Sequence, residues 1–382
     1  MMRLLFVCCI AVAIAACSSS SATNEPVDPP DELGSFAVGH STFTAVDPAR
    51  GGRSLLVDIW YPVDAADAAG AEPREYTLSG IQGPQSDVAL ADPPVSSRRN
   101  QTLLVFSHGY TGISTQSVGL MEALASHGFI VASPEHTGNA QQSPTDSFDE
   151  AAANRVPDVS FIIDTMIARS QDPNDAFHDR VDGSRVGALG HSFGGMTAIG
   201  MAAGWAGAEA DPRVAAILPV SAVVVKELQS DERTSPNAGF SQEQLEAITV
   251  PVMLMGGSED VNVFPENNEV AFAQILNAPR VYRVEILGAT HTHFASVCWI
   301  GDYLISIGFE QESWAALGAE DLIEPYDITC GPEAFPIEES NRLANLYTIA
   351  FFKRHLLGEV GYEAYLTTAF AESEPAADFF RK

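Results

Sequence analysis

Residues 185–196 read RVGALGHSFGGM: an apolar run gives way to three glycines set around one serine, and an Ala- and Met-rich segment follows. Arg185–Leu189 has the length and composition of a short buried strand, and Met196–Met201 suits a helix. A serine on a tight strand-to-helix turn has a strained backbone and close packing on both sides, so its neighbours must be small. Gly190-x-Ser192-x-Gly194 therefore reads as a nucleophile elbow, with His191 and Phe193 as packing residues on either side. An ordinary glycine-rich turn is the plainer alternative. The elbow reading requires a base and an acid elsewhere in the chain, because a serine hydroxyl alone is a poor nucleophile near neutral pH.

The segments around the elbow alternate. Phe36–Val46 and Ser54–Tyr61 are β-rich and separated by Asp47-Pro48 and Gly51-Gly52, which predicts an N-terminal antiparallel hairpin. Residues 62–100, rich in Pro, Ala, Gly and Ser, read as a surface excursion. Beyond them strands are expected at 102–107, 129–133, 186–189, 214–218, 250–255 and 281–286. Helices are expected at about 116–127, 156–169, from 195, at about 266–276, and at 341–357. This order predicts an α/β fold, a mostly parallel sheet with helices on both faces and active groups at the carboxyl ends of strands. At 382 residues and 46% hydrophobic, the chain can bury a large core in one domain.

A formal charge of −30 argues against nucleic acid or an anionic membrane surface as the binding partner. The N-terminus indicates export. Met1-Met2-Arg3 precedes an apolar run over residues 4–16 that is too short to span a bilayer and fits the core of a signal peptide. The run ends Ile14-Ala15-Ala16-Cys17, followed by four serines, which resembles the lipobox of bacterial lipoproteins. A signal over residues 1–16 and lipidation of Cys17 are expected, the alternative being plain cleavage with Cys17 incidental. Residues 17–32 then form a polar, Pro-rich flexible linker to a catalytic domain over 33–382. The expected location is the bacterial cell envelope, with the serine after Cys17 pointing to the outer membrane. Cys298 and Cys330 are left in the mature domain, and in an oxidising setting two lone cysteines pair as one disulfide. No metal or cofactor is expected.

Three features sit at expected strand ends. Ser107-His108-Gly109-Tyr110 is a His-Gly step of the kind that shapes a loop donating one oxyanion-hole amide, here the N–H of Tyr110, with the N–H of Phe193 as the second donor. His108 is expected to fix the loop and carry no proton. Met255-Gly256-Gly257-Ser258-Glu259-Asp260 offers a carboxylate to orient a histidine; Asp260 is the expected acid and Glu259 its competitor. Residues 287–294 read LGATHTHF, with His291 the expected base and His293 a neighbouring pocket or loop residue. The order Ser192, Asp260, His291 is that of α/β-hydrolases.

The stretch VFSHGYTGISTQSVGLMEALASHGFIVASPEHTGN, together with GHSFGG, resembles the platelet-activating-factor acetylhydrolase family and its bacterial relatives over roughly residues 33–300. The resemblance implies an α/β-hydrolase fold, Ser192 as nucleophile, Tyr110 and Phe193 as oxyanion donors, and His291 in the histidine loop. It departs at the acid. The animal enzymes take it from the strand after the elbow helix, where this chain has Leu218-Pro219-Val220-Ser221 and no carboxylate. Asp260 comes one strand later, the placement in bacterial cutinases and polyester hydrolases. The activity so implied is a lipid-anchored serine esterase acting on short-chain acyl esters such as 1-alkyl-2-acetylglycerophosphocholine, with a polyester- or cutin-like hydrolase as the second reading. A catalytically silent surface binding protein is a third, disfavoured because both Ser192 and His291 are kept. Residues 294–339 form a lid-like insertion whose Trp299, Ile300, Tyr303, Leu304, Ile305, Phe309, Trp314 and Leu317 either complete the core or wall a pocket for an acyl or alkyl chain.

Overall fold

Every side chain of the strand Gln101–Ser107 is buried. Leu103 and Val105 enter one apolar layer, and Leu104 and Phe106 the other. A strand buried on both faces is what a parallel sheet clad by helices requires. The computed structural model describes residues 27–78, 81–228 and 235–382. The expected signal and lipidation site, residues 1–16 and Cys17, lie outside the described residues. The end of the linker is held against the domain: Tyr362 Oη donates to the Asp28 carbonyl at 3.0 Å, and Arg342 pairs with Asp31 at 3.3 Å.

The sheet has eleven strands, numbered here in chain order: β1 (Ala37–Asp47), β2 (Arg53–Val63), β3 (Pro73–Leu78), β4 (Ile81–Ala91), β5 (Gln101–Ser107) and β6 (Ile130–Pro134), then β7 (Val181–His191), β8 (Val214–Val220), β9 (Val252–Gly257), β10 (Val281–Ile286) and β11 (Ala377–Arg381). Their spatial order is β11-β10-β9-β8-β7-β5-β6-β2-β1-β4-β3. From β6 to β10 neighbours are parallel, and β1 and β2 form the expected antiparallel hairpin. Helices α1 (Val118–Ser126), α2 (Phe148–Gln171), α3 (Phe193–Ala203) and α4 (Glu266–Gln274) fill the crossovers. Val156, Ile163 and Met196 of α2 and α3 pack into one layer, whereas Met121 and Leu124 of α1 pack into the other. The long helix near the C-terminus, Ile337–His355, joins α1 there through Leu343, Tyr347 and Phe351.

Three expectations are corrected. Residues 62–100 are not a plain surface excursion, because β3 and β4 extend the sheet within them. Gly83 and Pro84 disguise β4, and proline is compatible with strands near a sheet edge. Helix α2 begins well before residue 156: a capping box, with Glu150 N–H on Ser147 Oγ and the Glu150 carboxylate on Ser147 N–H, starts it at Phe148. Pro157 resembles an N1 proline and lies inside the helix instead. The last strand, β11, had no counterpart in the sequence reading; it pairs antiparallel with β10.

After the histidine loop come α5 (Val297–Ser306) and α6 (Ile323–Cys330). Cys298 and Cys330 are disulfide-bonded, as expected. Trp314 is fully buried between them, edge-on to Tyr326 at 5.1 Å, and its indole N–H donates to the Phe309 carbonyl at 2.8 Å. Thr329, next to Cys330, hydrogen-bonds the hydroxyl of Thr292 in the histidine loop. The disulfide and this threonine pair clamp the insertion to the loop that carries His291.

Two outcomes follow from this packing. Closing a loop of 32 residues stabilises by about 3–4 kcal/mol in the chain-entropy picture. Reduction should therefore lower the melting temperature and, by loosening the histidine loop, impair turnover. Calorimetry and an ester assay on reduced, alkylated protein check both; an unchanged rate would show that the loop stands without the bridge. The second outcome concerns Glu122 of α1, a buried carboxyl that accepts from Tyr76 Oη at 2.9 Å and Ser86 Oγ at 2.6 Å. Burial pushes it up to about 7 against the pull of those donors. The folded state therefore binds more protons than the unfolded one between pH 4.5 and about 7, and stability falls across that window as pH rises. Glu122→Gln keeps an acceptor for both hydroxyls, so its advantage in melting temperature should widen from pH 4.5 to about 7. A constant difference across the window would mean that Glu122 is ionised throughout.

Candidate active site

Ser192 stands between β7 and α3 with φ 58° and ψ −119°, a left-handed backbone that costs a side-chain-bearing residue about 1–3 kcal/mol. The turn closes only because its neighbours lack side chains. A Cβ on Gly190 would lie 2.4 Å from the Gly194 carbonyl oxygen, and one on Gly194 would lie 1.7 Å from that of Ser107. The strained serine and the two glycines are thus one feature, and the strand-to-helix turn is of the elbow type that the sequence predicted.

At the carboxyl end of β9, Asp260 is 2% exposed. Its Oδ1 accepts the N–H groups of Asn262 and Val263 at 2.9 and 2.8 Å, and its Oδ2 accepts His291 Nδ1–H at 2.8 Å. Burial alone would raise this carboxyl; the bonds from His291 and Val263 outweigh it and hold the group below its ordinary range. Glu259 is exposed, and only its backbone N–H is engaged there, with the Ala289 carbonyl. His293 is 1% exposed and turned into its own loop: Nδ1 accepts from Thr290 N–H at 2.9 Å, and Nε2–H donates to the Phe335 carbonyl at 3.0 Å. Of the two candidate pairs, the structure joins Asp260 with His291.

Gln116, which the sequence does not single out, and His191, expected only to pack beside the elbow, bind these loops together. Gln116 accepts Gly109 N–H at 2.8 Å on Oε1 and donates through Nε2 to His191 Nδ1 at 2.7 Å. Its own carbonyl accepts Ser296 N–H at 2.6 Å. His191 in turn donates Nε2–H to the His291 carbonyl at 2.9 Å, with the two imidazoles 4.4 Å apart. Burial and the adjacent His291 press His191 down to about 3, so it stays neutral and keeps this tautomer. More than a packing residue of the elbow, it links the position next to Ser192 to the backbone of His291. Gln116 gives no recognisable motif; its three contacts exist only once three distant loops converge.

The loop of His108–Tyr110, expected to donate an oxyanion amide, follows β5 and lies beside the serine turn. His108 is fully buried and loop-fixing, its Nδ1–H on the Gly109 carbonyl at 2.8 Å and its Nε2 accepting His136 N–H at 3.1 Å. A Cβ on Gly109 would come within 3.5 Å of Ser192 Cβ, so this loop lies against the serine. Tyr110 and Phe193 meet edge to face at 5.3 Å. Arg155, a fully buried residue of α2 likewise missed in the sequence, holds the carbonyls of His108 and Gly109 from below. A cavity of about 250 Å³ opens beside the loop, walled by Ile113 on one side and by Val297, Ile300, Leu304, Leu317 and Leu322 of the insertion on the other. Trp314 and Trp299 do not line it: the first is core, and the second packs on Tyr76 at 5.5 Å. Among the described residues no cluster of three His, Cys, Asp or Glu side chains could hold a metal ion, and no helix is long and apolar enough to cross a membrane.

The site can be set against known proteins. The chain is 25% identical over 198 residues to cutinase est2 of Thermobifida alba, an overlap covering 51% of this chain and 54% of that protein. It is 32% identical over 100 residues to cutinase 2 of Thermobifida cellulosilytica, covering 26% of this chain and 34% of that one. The chain thus spans about half or less of the length of the curated relatives it matches. A solved structure of a ferulic acid esterase from Streptomyces cinnamoneus shares the fold, with a TM-score of 0.61 at 22% identity over 90% of this chain and 96% of that one. The family model described as chlorophyllase matches residues 82–278, a span that holds Tyr110, Ser192, Phe193 and Asp260 and ends before His291. Covering more than half of the 382 residues, that match identifies the chain as a member of the chlorophyllase family of α/β-hydrolases.

Proposed function

We propose that the protein is a serine carboxylic-ester hydrolase with Ser192 as nucleophile, His291 as base and Asp260 as the orienting acid. The observation that carries this reading is the convergence of a strained serine, φ 58°, with a histidine–carboxylate pair at 2.8 Å at the same end of the parallel strands, bridged by His191. The chemistry then runs through an acyl-enzyme. Ser192 Oγ attacks the ester carbonyl as His291 Nε2 takes its proton, and Asp260 stabilises the cation so formed. The N–H groups of Tyr110 and Phe193 hold the oxyanion, and collapse expels the alcohol, which takes its proton back from His291. Water, deprotonated by the same histidine, then releases the acid.

The cavity beside the oxyanion loop bears on the substrate. At about 250 Å³ it falls below the ~300–1,000 Å³ of pockets that engulf a drug-sized ligand, so it suits one short chain rather than a whole lipid. Its walls are mostly aliphatic, with Thr111, Gln116, Gln141 and Ser296 as polar lining and Asp321 as the charged side chain, which favours a neutral group. This supports short-chain acyl esters, of which 1-alkyl-2-acetylglycerophosphocholine is one. A polyester- or cutin-like substrate is favoured by a different observation: relatives named cutinases, together with an acid at the end of β9. Export and anchoring through a lipid on Cys17 belong to the same proposal and rest on the sequence of residues 1–17 alone.

Hydrolysis of p-nitrophenyl acetate by purified protein tests the chemistry. Ser192→Ala and His291→Ala should each lower kcat by about 10⁴-fold or more, because the two act as one unit. Asp260→Asn should cost nearly as much, and His293→Ala and Glu259→Gln far less; a reversal between the two histidines would move the base to His293. The pocket is tested by filling it. Ile300→Trp should lower kcat/KM for p-nitrophenyl hexanoate by about tenfold relative to the acetate. A panel of acetyl phospholipid, long-chain triglyceride and polyester film separates the substrate readings, and equal losses on acetate and hexanoate would place the cavity outside the acyl site.

A further inference from the structure

Arg155 is 0% exposed. A guanidinium taken out of water without a carboxylate partner is costly, and buried charges are ordinarily paired. The nearest acid on its helix, Asp158, is fully engaged elsewhere: it accepts His136 Nδ1 at 2.9 Å, Arg53 Nε and Nη2 at 2.8 and 2.9 Å, and Arg50 Nη1 at 2.6 Å. Arg155 instead spends its two terminal amino groups on neutral oxygens, and its Nε finds no partner among the described residues. Nη1 reaches Ser107 Oγ at 3.0 Å and the His108 carbonyl, while Nη2 reaches the Gly109 carbonyl at 2.9 Å and Asn139 Oδ1 at 2.6 Å. Three of these four acceptors belong to Ser107–Gly109, which leads into Tyr110.

The Gly109 carbonyl is the other end of the peptide whose N–H belongs to Tyr110. A trans peptide is planar and sets these groups on opposite sides, and the described chain has no cis bond. Holding the carbonyl with Arg155 and with His108 Nδ1–H therefore fixes the amide to point away from the guanidinium. A charge-assisted bond on the carbonyl also polarises the peptide and strengthens its N–H as a donor. The same guanidinium lies 4.8 Å from the ring centroid of Phe193, the residue of the second amide. Its surroundings are fixed as well. Ser107 Oγ accepts from Arg155 and so gives its own hydrogen to His136 Nε2 at 2.9 Å, and His136 Nδ1–H is committed to Asp158.

We propose that Arg155 is a positioning residue of the oxyanion hole: through the Gly109 carbonyl it orients and polarises the Tyr110 amide, and it acts on the transition state without touching substrate. The inference rests on the esterase reading of Ser192.

The test compares p-nitrophenyl acetate with its thionoacetate, in which sulfur replaces the carbonyl oxygen and is a poor acceptor for oxyanion-hole donors. Arg155→Met should lower kcat on the oxygen ester by about 10- to 100-fold with little change in KM, a fraction of the loss of a whole donor. The thionoester should lose several-fold less, so the oxygen-to-sulfur preference falls. Arg155→Lys retains a charge that one ammonium cannot spread over all four acceptors, and its preference should be intermediate. If the Met variant does not fold, the Lys variant decides by the same ratio. Equal losses on both esters, or an unchanged ratio, would reduce Arg155 to a structural role and overturn the proposal. Absence of Ser192-dependent turnover in the unaltered protein is a separate outcome, which would overturn the esterase reading and this inference with it.

Discussion

One steric constraint organises the molecule: the backbone at Ser192 turns through φ 58° directly above the end of a sheet strand, with no room for a side chain at Gly190 or Gly194. The atoms that would collide with those side chains are the Gly194 and Ser107 carbonyl oxygens, so the turn is fitted both to its own helix and to the neighbouring strand β5. A turn this tight persists only where the surroundings over-determine it. Here β5, β7 and β8 are buried on both faces, and the layers formed by α2 and α3 on one side and by α1 and the helix Ile337–His355 on the other hold the strand ends in place. The chain carries a formal charge of −30, yet the groups that tie the loops together around the serine are neutral apart from Asp260 and Arg155.

Around the serine the polar groups fall into two buried networks of different character. The one behind the base is neutral apart from Asp260: Gln116 sets the tautomer of His191, His191 donates to the His291 carbonyl, and Asp260 sets the tautomer of the His291 ring. The one beneath the oxyanion loop holds charge. Asp158 gathers two arginines and His136, which burial and Arg155 keep down at about 4, whereas Arg155 is left facing neutral oxygens. Burial also lowers Arg155 itself, to about 9, which records the cost of placing a cation there. Such a cost is tolerated where a buried polar network specifies one arrangement of a loop, here with Arg155 Nε and Asn139 Nδ2 left without a partner among the described residues.

The insertion after the histidine loop has both a structural and a site-facing part. Trp314 and Tyr326 give it a small core of its own, and the Cys298–Cys330 bridge joins the start of α5 to the end of α6. Its remaining aliphatic face, Val297, Ile300 and Leu304, closes a cavity against the loop that follows Tyr110. The apolar residues of this segment thus divide between core and pocket.

What the sequence determined by itself is the part governed by short-range rules. Glycines around Ser192, alternation of buried strands and helices, and a carboxylate and a histidine just past strand ends are all local patterns, and they were enough to expect the elbow, Asp260, His291 and the loop of His108–Tyr110 as candidates. Two cysteines and an export signal were enough to expect the disulfide. The tertiary structure alone decided the rest. Pro84 and Gly83 hid β4 because strand pairing with β1, not intrinsic propensity, makes it a strand. Exposure separated Asp260 from Glu259, and hydrogen bonding separated His291 from His293. Arg155 and Gln116 carry no signal at all in one dimension: Arg155 reaches the oxyanion loop 46–48 positions away and Gln116 reaches His191 75 positions away, and a polar residue inside an amphipathic helix or a loop reads as solvent-facing until its neighbours are known. Their roles arise from contacts between loops that only the packed sheet brings together.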